Sequence, residues 1–414
     1  MKQGPVITLC VALLLLFSCF GTKEASLDGH WRAVWMSQAG EVPGDFFFET
    51  AEDGTLKGEI HNAAEVLKFS RIEKEGNHIN LYNDRFESLI SADIAEDRLS
   101  MSGKWSKQVG LPVEMPFQAF KGDMDRFPVD KYPPLEGTAP IQDISGTWKY
   151  IWEEYDPEGY LVMTLSQEGE RITASVRSAI GDWRWLEGIY RNGRLELSLF
   201  NGTWIFWISA KMDENGTFHG IWVKSSNPPN KWYATKEDID LPDTFKLSRI
   251  TSEDGSFRFE FPSADDPETM ISNEDPRFKV KPYVLALTTT GCPNGHDNAE
   301  LLSKLYKDYK DKGLHMLFIN YEMTKDLDLT LTRIKRFRKL FDLPFPIAYS
   351  MAMNKKECGD ELPDLERFIA WPTTLFIGTD GKVKAVHTGM SGPGTGKHYL
   401  RLEERYRVAI ESLL

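Results

Sequence analysis

The chain repeats itself at a fixed shift of 117 positions. Gly29-His30-Trp31-Arg32-Ala33-Val34-Trp35 returns as Gly146-Thr147-Trp148-Lys149-Tyr150-Ile151-Trp152, Gly76 maps onto Gly193, and Gly103-Lys104-Trp105 maps onto Gly220-Ile221-Trp222. Matches at one offset in three separated segments mark a duplication. Each copy, spanning 27–122 and 144–237, is made of short alternating stretches such as Arg194-Leu195-Glu196-Leu197-Ser198-Leu199. Turn signals such as Glu52-Asp53-Gly54 and Glu214-Asn215-Gly216 separate them. The pattern predicts an antiparallel β-barrel or a strongly curved sheet per copy. Strand side chains alternate, so Trp31 and Trp35 share one face, where they fill a core or face an apolar ligand. Residues 123–143, with Pro128, Pro133, Pro134 and Pro140, read as the linker.

The rest of the chain has a different rhythm. Tyr283-Val284-Leu285-Ala286-Leu287 is a short apolar run suited to a buried parallel strand, and it ends just before Gly291-Cys292-Pro293-Asn294-Gly295-His296-Asp297. Leu301, Leu302, Leu305 and Tyr309 then recur at helical spacing up to Gly313, a suitable C-terminal cap. A strand at 315–321 follows. Next comes a helix with an apolar stripe of Ile334, Phe337 and Phe341, whose Arg333, Lys335, Arg336, Arg338 and Lys339 read as a solvated face. Phe345-Pro346-Ile347-Ala348-Tyr349 reads as a strand and 365–370 as the end of a helix leading into Trp371-Pro372-Thr373-Thr374. A hairpin with Asp380-Gly381 at its tip and a helix over 399–414 close a βαβαβββα-like order.

Residues of about 250 to 414 resemble the TlpA/ResA-like thioredoxin proteins of the bacterial envelope, within the peroxiredoxin-like group. Cys292-Pro293-Asn294 followed by His296-Asp297, Leu362-Pro363, Trp371-Pro372-Thr373-Thr374, Asp380-Gly381-Lys382-Val383 and His387-Thr388-Gly389 fit that pattern. The resemblance implies a thioredoxin fold, a nucleophilic Cys292, and a cis-proline loop in which Trp371, Pro372 and Thr373 would hold an extended partner. An ordinary trans proline at a strand start is the alternative. Two departures fall on the chemistry: Gly295 stands where the family has its second cysteine, and Gly291 where it has an aromatic residue.

A cysteine that opens a helix sits among free N–H groups that favour its thiolate, so a lowered pKa is expected for Cys292. Pro293, Asn294, Gly295 and His296 are its immediate neighbours. His296 either hydrogen-bonds the thiolate or caps the helix, and Asp297 reads as a first-turn partner of the helix dipole. Cys358 either supplies the missing thiol or is a small buried residue. Three functions stand open: thiol–disulfide exchange through Cys292 with a protein or small-molecule disulfide, a catalytically degenerate binding module, and peroxide reduction suggested by Thr289-x-x-Cys292.

Residues 1–18 read as a signal peptide ending in the lipobox-like Leu16-Phe17-Ser18-Cys19, with Cys19 lipidated and 19–26 as a tether. The expected place is the cell envelope, facing the periplasm or the cell surface, with a secreted form cleaved nearby as the alternative. Cys10 leaves with the signal. A formal net charge of −13 disfavours nucleic acid and anionic lipid surfaces as partners. The eight histidines lack ligand spacing and no glycine-rich phosphate loop precedes a helix, so neither metal nor cofactor is expected.

Overall fold

The computed structural model describes residues 26–108, 112–133, 142–152 and 159–414. The signal-peptide and Cys19 expectations, and the linker prolines Pro134 and Pro140, lie outside the described residues. The first repeat folds as a nine-stranded antiparallel sheet. It runs from the edge strand Glu65–Lys68 through Leu56–Asn62, Gly40–Thr50 and Gly29–Ser37 to Val113–Lys121, then back through Ser100–Lys107 to the other edge at Arg71–Glu75. This sheet stays open between its two edge strands. The second repeat closes into a barrel of eight strands, because Leu161–Glu168 pairs with Arg171–Ser178 as well as with Gly146–Trp152. A two-residue strand, Gly181–Asp182, folds back on Arg171–Ser178 outside the ring.

The duplication is visible atom by atom. Trp31 Nε1 donates to the Leu27 carbonyl at 2.7 Å, and Trp148 Nε1 donates to the Ile144 carbonyl at 2.9 Å, the same bond 117 residues on. The repeated glycines have a steric cause. A Cβ on Gly103 would lie 2.0 Å from the Ser91 carbonyl oxygen, and one on Gly220 would lie 2.1 Å from that of Ser209. The open sheet is not left bare. Phe200, Ile205 and Trp207 of the barrel complete its core around Trp35 and Phe46, and Asn62 exchanges two hydrogen bonds with the Phe200 backbone, at 2.8 and 3.2 Å.

The C-terminal region is built on a five-stranded sheet in the order Ile347–Ser350, His315–Tyr321, Tyr283–Thr288, Thr373–Ile377, Val383–Thr388. The first three strands are parallel and the last two antiparallel. Strand alternation sends Val284, Ala286, Met316 and Phe318 to a core shared with helices Pro293–Tyr309, Leu327–Phe341 and Lys397–Glu411. Leu285, Leu287, Leu317 and Ile319 go to a second core on the other face, with Phe257, Phe259, Cys358 and Phe368. The fold is therefore two β domains followed by an α/β thioredoxin fold.

Two local expectations are corrected. Residues 365–370 are not helical: Leu365 bridges to Ile250, and the backbone N–H of Glu366 donates to the Arg249 carbonyl at 2.9 Å, pulling the segment extended between Pro363 and Pro372. The helix before it is Lys355–Asp360, so a helix interrupts the run of strands expected there. The cationic face of Leu327–Phe341 is only partly solvated. Arg333 is buried and chelates Glu87, in the turn before Ser88–Ile94 of the first repeat, Arg336 joins the same carboxylate, and Arg338 pairs with Asp265.

Candidate active site around Cys292

Cys292 caps helix Pro293–Tyr309 in extended geometry at the C-terminal edge of the parallel strands, where Pro293 can open the helix because its missing N–H would be unpaired anyway. The Trp371–Pro372 peptide bond is cis. The Cys292 Sγ lies 3.9 Å from the Trp371 carbonyl oxygen, so the thiol faces the proline loop that the sequence placed beside it. The expected lowering of its pKa is overturned. Burial pushes the Cys292 thiol up, Asp297 adds to that, and the backbone N–H groups of Gly295 and Asn294 together with Lys224 only partly offset it.

Beneath the thiol, the Thr290 N–H and hydroxyl donate to Glu322 at 2.9 and 2.7 Å, and Asn320 donates to the same carboxyl at 2.8 Å. Glu322 is buried, and burial raises its pKa to about 7 despite these donors. Above the thiol lies the second barrel. Asn294 Nδ2 donates to Asp182 Oδ2 at 3.2 Å, Asp182 accepts the Gly392 N–H at 2.6 Å, and Arg184 pairs with Asp297 at 2.6 Å. Between barrel and thiol is a cavity of about 460 Å³ whose walls include Trp183, Trp222, Lys224, Cys292, Glu322 and Trp371.

Residues 251–399 match the Redoxin family. The C-terminal region is a redoxin domain. The thiol-disulfide oxidoreductase ResA of Bacillus thuringiensis subsp. konkukian is 31% identical over 106 residues, which are 26% of this chain and 54% of that protein. The ResA of Halalkalibacterium halodurans is 29% identical over 100 residues, 24% of this chain and 49% of its own. The chain thus spans about half the length of these relatives. A solved thiol-disulfide oxidoreductase from Bacteroides fragilis is 20% identical, with a TM-score of 0.27, covering 35% of this chain and 96% of that one.

Within the redoxin domain the predicted site residues have separate fates. Pro293, Asn294, Gly295 and Trp371 lie at or beside the thiol. Pro372 follows Trp371 with its carbonyl already accepting the Gly389 N–H at 2.8 Å, and Thr373 is buried at the start of the next strand with its hydroxyl donating to the Ala370 carbonyl at 2.7 Å. His296 faces away from it. Its Nε2 donates to the Thr290 carbonyl at 2.6 Å, its Nδ1 accepts from Arg85 Nε at 2.9 Å, and its ring stacks on Phe86. Burial and Arg85 hold its pKa well below the usual histidine value, so it serves as a neutral strut. Cys358 is a free thiol buried in the core on the opposite face of the sheet from helix Pro293–Tyr309, its pKa pushed up to about 12.

Lys224, Asp182, Trp183, Arg184 and Glu322 were not singled out from sequence. One signal was available. Trp105-x-Lys107 and Trp222-x-Lys224 are equivalent across the repeat, and both lysine ammoniums rest over the Trp204 ring, at 3.2 and 3.7 Å.

Proposed function

We propose that this is an extracytoplasmic thiol–disulfide exchange protein that works through one thiol. The observation that carries the reading is the position of Cys292, opening a helix with its sulfur against the Trp371 carbonyl while Gly295 occupies the resolving position. The Cys292 thiolate attacks one sulfur of a disulfide, the S–S bond breaks, and the leaving thiolate takes the proton that Cys292 gave up. A second, external thiol then releases the mixed disulfide, because Cys358 sits in the other core. The lipobox-like Leu16-Phe17-Ser18-Cys19 supports anchoring through Cys19 and exposure to an oxidising compartment. Oxidised glutathione followed by peptide mass spectrometry tests the chemistry: a glutathione adduct on Cys292, absent in Cys292→Ser and reversed by free thiol, is expected.

The raised thiol pKa and the barrel seated over the site favour a second reading, in which the redoxin domain is a binding module. Under that reading Cys292 stays unmodified by excess oxidised glutathione at pH 8.

A further inference from the structure

The two repeats place equivalent tryptophans in different surroundings. Trp35 and Trp105 of the first sheet are fully buried among Phe46, Phe117 and Phe200. Their counterparts 117 residues on, Trp222 at the border of the barrel core and the partly buried Trp152, also line the cavity over Cys292. There the rings form a ladder of near-parallel faces. Trp183 lies 5.0 Å from Trp222 at 18°, 6.2 Å from Trp152 at 17°, and 5.3 Å from Phe206 at 17°. Tyr150 of the barrel core meets Trp152 and Trp183 edge-on, at 82° and 81°, and the aligned faces that border the open space match a flat ring that slides against them.

Asp182 and Glu322 line this cavity, yet several of its donors lack an acceptor. Among the described residues neither Trp222 Nε1 nor Trp371 Nε1 has a hydrogen-bond partner. Lys224 of the cavity wall and the fully buried Lys107, which shares the Trp204 ring with it, have no carboxylate in ion-pair distance among the described residues. Burial lowers the pKa of both lysines. Meanwhile the ground beside the proline loop is occupied. A Cβ on Gly389 would meet the Ile180 backbone at 2.6 Å, and Asp182 already accepts the Gly392 N–H, so the barrel's 178–182 turn sits where a protein strand would approach.

We propose that the cavity between the barrel and Cys292 is a substrate site for a small aromatic disulfide that carries an anionic group, not for a protein disulfide. This rests on the exchange reading above and names its substrate class. The aromatic ring stacks on the ladder of Trp183 and Trp222, the anion meets Lys224, and the disulfide sulfur reaches Cys292 Sγ. Cys292 thiolate forms a bond to the aryl sulfur, the original S–S bond breaks, and the other half leaves as a thiolate that is then protonated. A low-molecular-weight thiol attacks the Cys292 sulfur and expels the aryl thiolate, the less basic leaving group, and a second molecule of that thiol displaces Cys292 as a thiolate that is protonated, so the aromatic disulfide is reduced to two thiols and the small thiols are oxidised to their own disulfide.

The test compares 5,5′-dithiobis(2-nitrobenzoate) with cystamine, an aliphatic cation, on the full chain. Each rate of Cys292 modification is divided by the rate of the same disulfide with 2-mercaptoethanol, a reference thiol with no other charge, which removes intrinsic reactivity, and the ratio of the two cancels the thiolate fraction of Cys292. We expect the normalised ratio to favour the aromatic anion by about tenfold or more, the scale of one good ring or cation contact. Lys224→Gln should lower that ratio severalfold while the protein keeps its circular dichroism, and 2-nitrobenzoate should quench tryptophan fluorescence saturably in Cys292→Ser. A ratio near one, with both disulfides reacting, overturns the substrate assignment and leaves exchange standing. No modification by either disulfide removes exchange itself, and the proposal with it. Saturable quenching in that case would mark the cavity as a ligand site of a non-redox module.

Discussion

Arg184 Nη1 lies 2.6 Å from Asp297 Oδ1, an ion pair buried between the second barrel and the helix that begins at Cys292. The same guanidinium holds Glu65 of the first sheet through Nε at 2.8 Å, so one cation joins three parts of the chain. Asp297 and Glu65 are both buried, and burial raises both pKa values against the pull of Arg184.

Arg184→Met should therefore be costly. It leaves two buried carboxylates without their cation, a change worth about 3–5 kcal/mol in comparable broken pairs. Urea denaturation near pH 7 measures it, and limited proteolysis should reveal earlier cleavage between barrel and redoxin domain. A loss below about 1 kcal/mol would mean that water reaches these carboxylates and the junction is soft.

The thiol makes a second prediction. Burial raises the Cys292 pKa and Lys224 lowers it, so the rate of iodoacetamide alkylation at Cys292 should keep rising with pH beyond about 8.5, the midpoint of a free cysteine. Lys224→Gln removes a nearby cation and should slow alkylation at pH 8. An inflection well below that of free cysteine would show the helix N-terminus outweighing burial.

What could be read from the sequence was what local chemistry decides. The apolar run before Cys292, Pro293 at the helix start and Gly313 in left-handed geometry at φ 97° each act within a few residues. The duplication was legible because an offset needs no knowledge of contacts. Long-range pairing was not. Residues 365–370 have helical composition but are held extended by Arg249 and Ile250, and Arg333 meets a partner 246 residues away in Glu87. The cavity over Cys292 joins two repeat-equivalent positions, Trp152 and Trp222, to a turn at Asp182, and only the folded barrel brings them to the thiol.

Glu322 gives the protein a pH dependence with a definite sign. Its folded pKa is raised from 4.5 to about 7, so the folded state holds a proton that the unfolded chain has already released. Its contribution is most favourable below pH 4.5 and is lost as pH rises towards 7, an interval worth about 3 kcal/mol. Glu322→Gln keeps an oxygen for the Thr290 donors and does not ionise. The variant should gain stability relative to the parent as pH goes from about 4.5 to about 8, by an amount of that order. A parallel pair of stability-against-pH curves from chemical denaturation would rule this carboxyl out as a buried titrating group.

Position 295 makes the last prediction. A Cβ built on Gly295 lies 3.4 Å from the Cβ of Cys292, close to the separation of about 3.5–4.5 Å that a disulfide spans. The same Cβ would come within 2.8 Å of Thr288 Oγ1 and 3.1 Å of the Thr289 carbonyl oxygen. The Thr288 hydroxyl is buried with no hydrogen-bond partner among the described residues, so moving or deleting it breaks no bond seen there. Gly295→Cys alone should therefore fold with some loss of stability, and Gly295→Cys with Thr288→Ala should recover part of it. In both, air or oxidised glutathione should close a disulfide between Cys292 and the introduced thiol within one peptide, and the long-lived glutathione adduct of the parent should become transient. Non-reducing peptide mass spectrometry reads both outcomes. If the double variant folds yet keeps a stable Cys292 adduct, the fourth position of the motif is not oriented towards the thiol, and the single-thiol state of this protein has a cause beyond the loss of one cysteine.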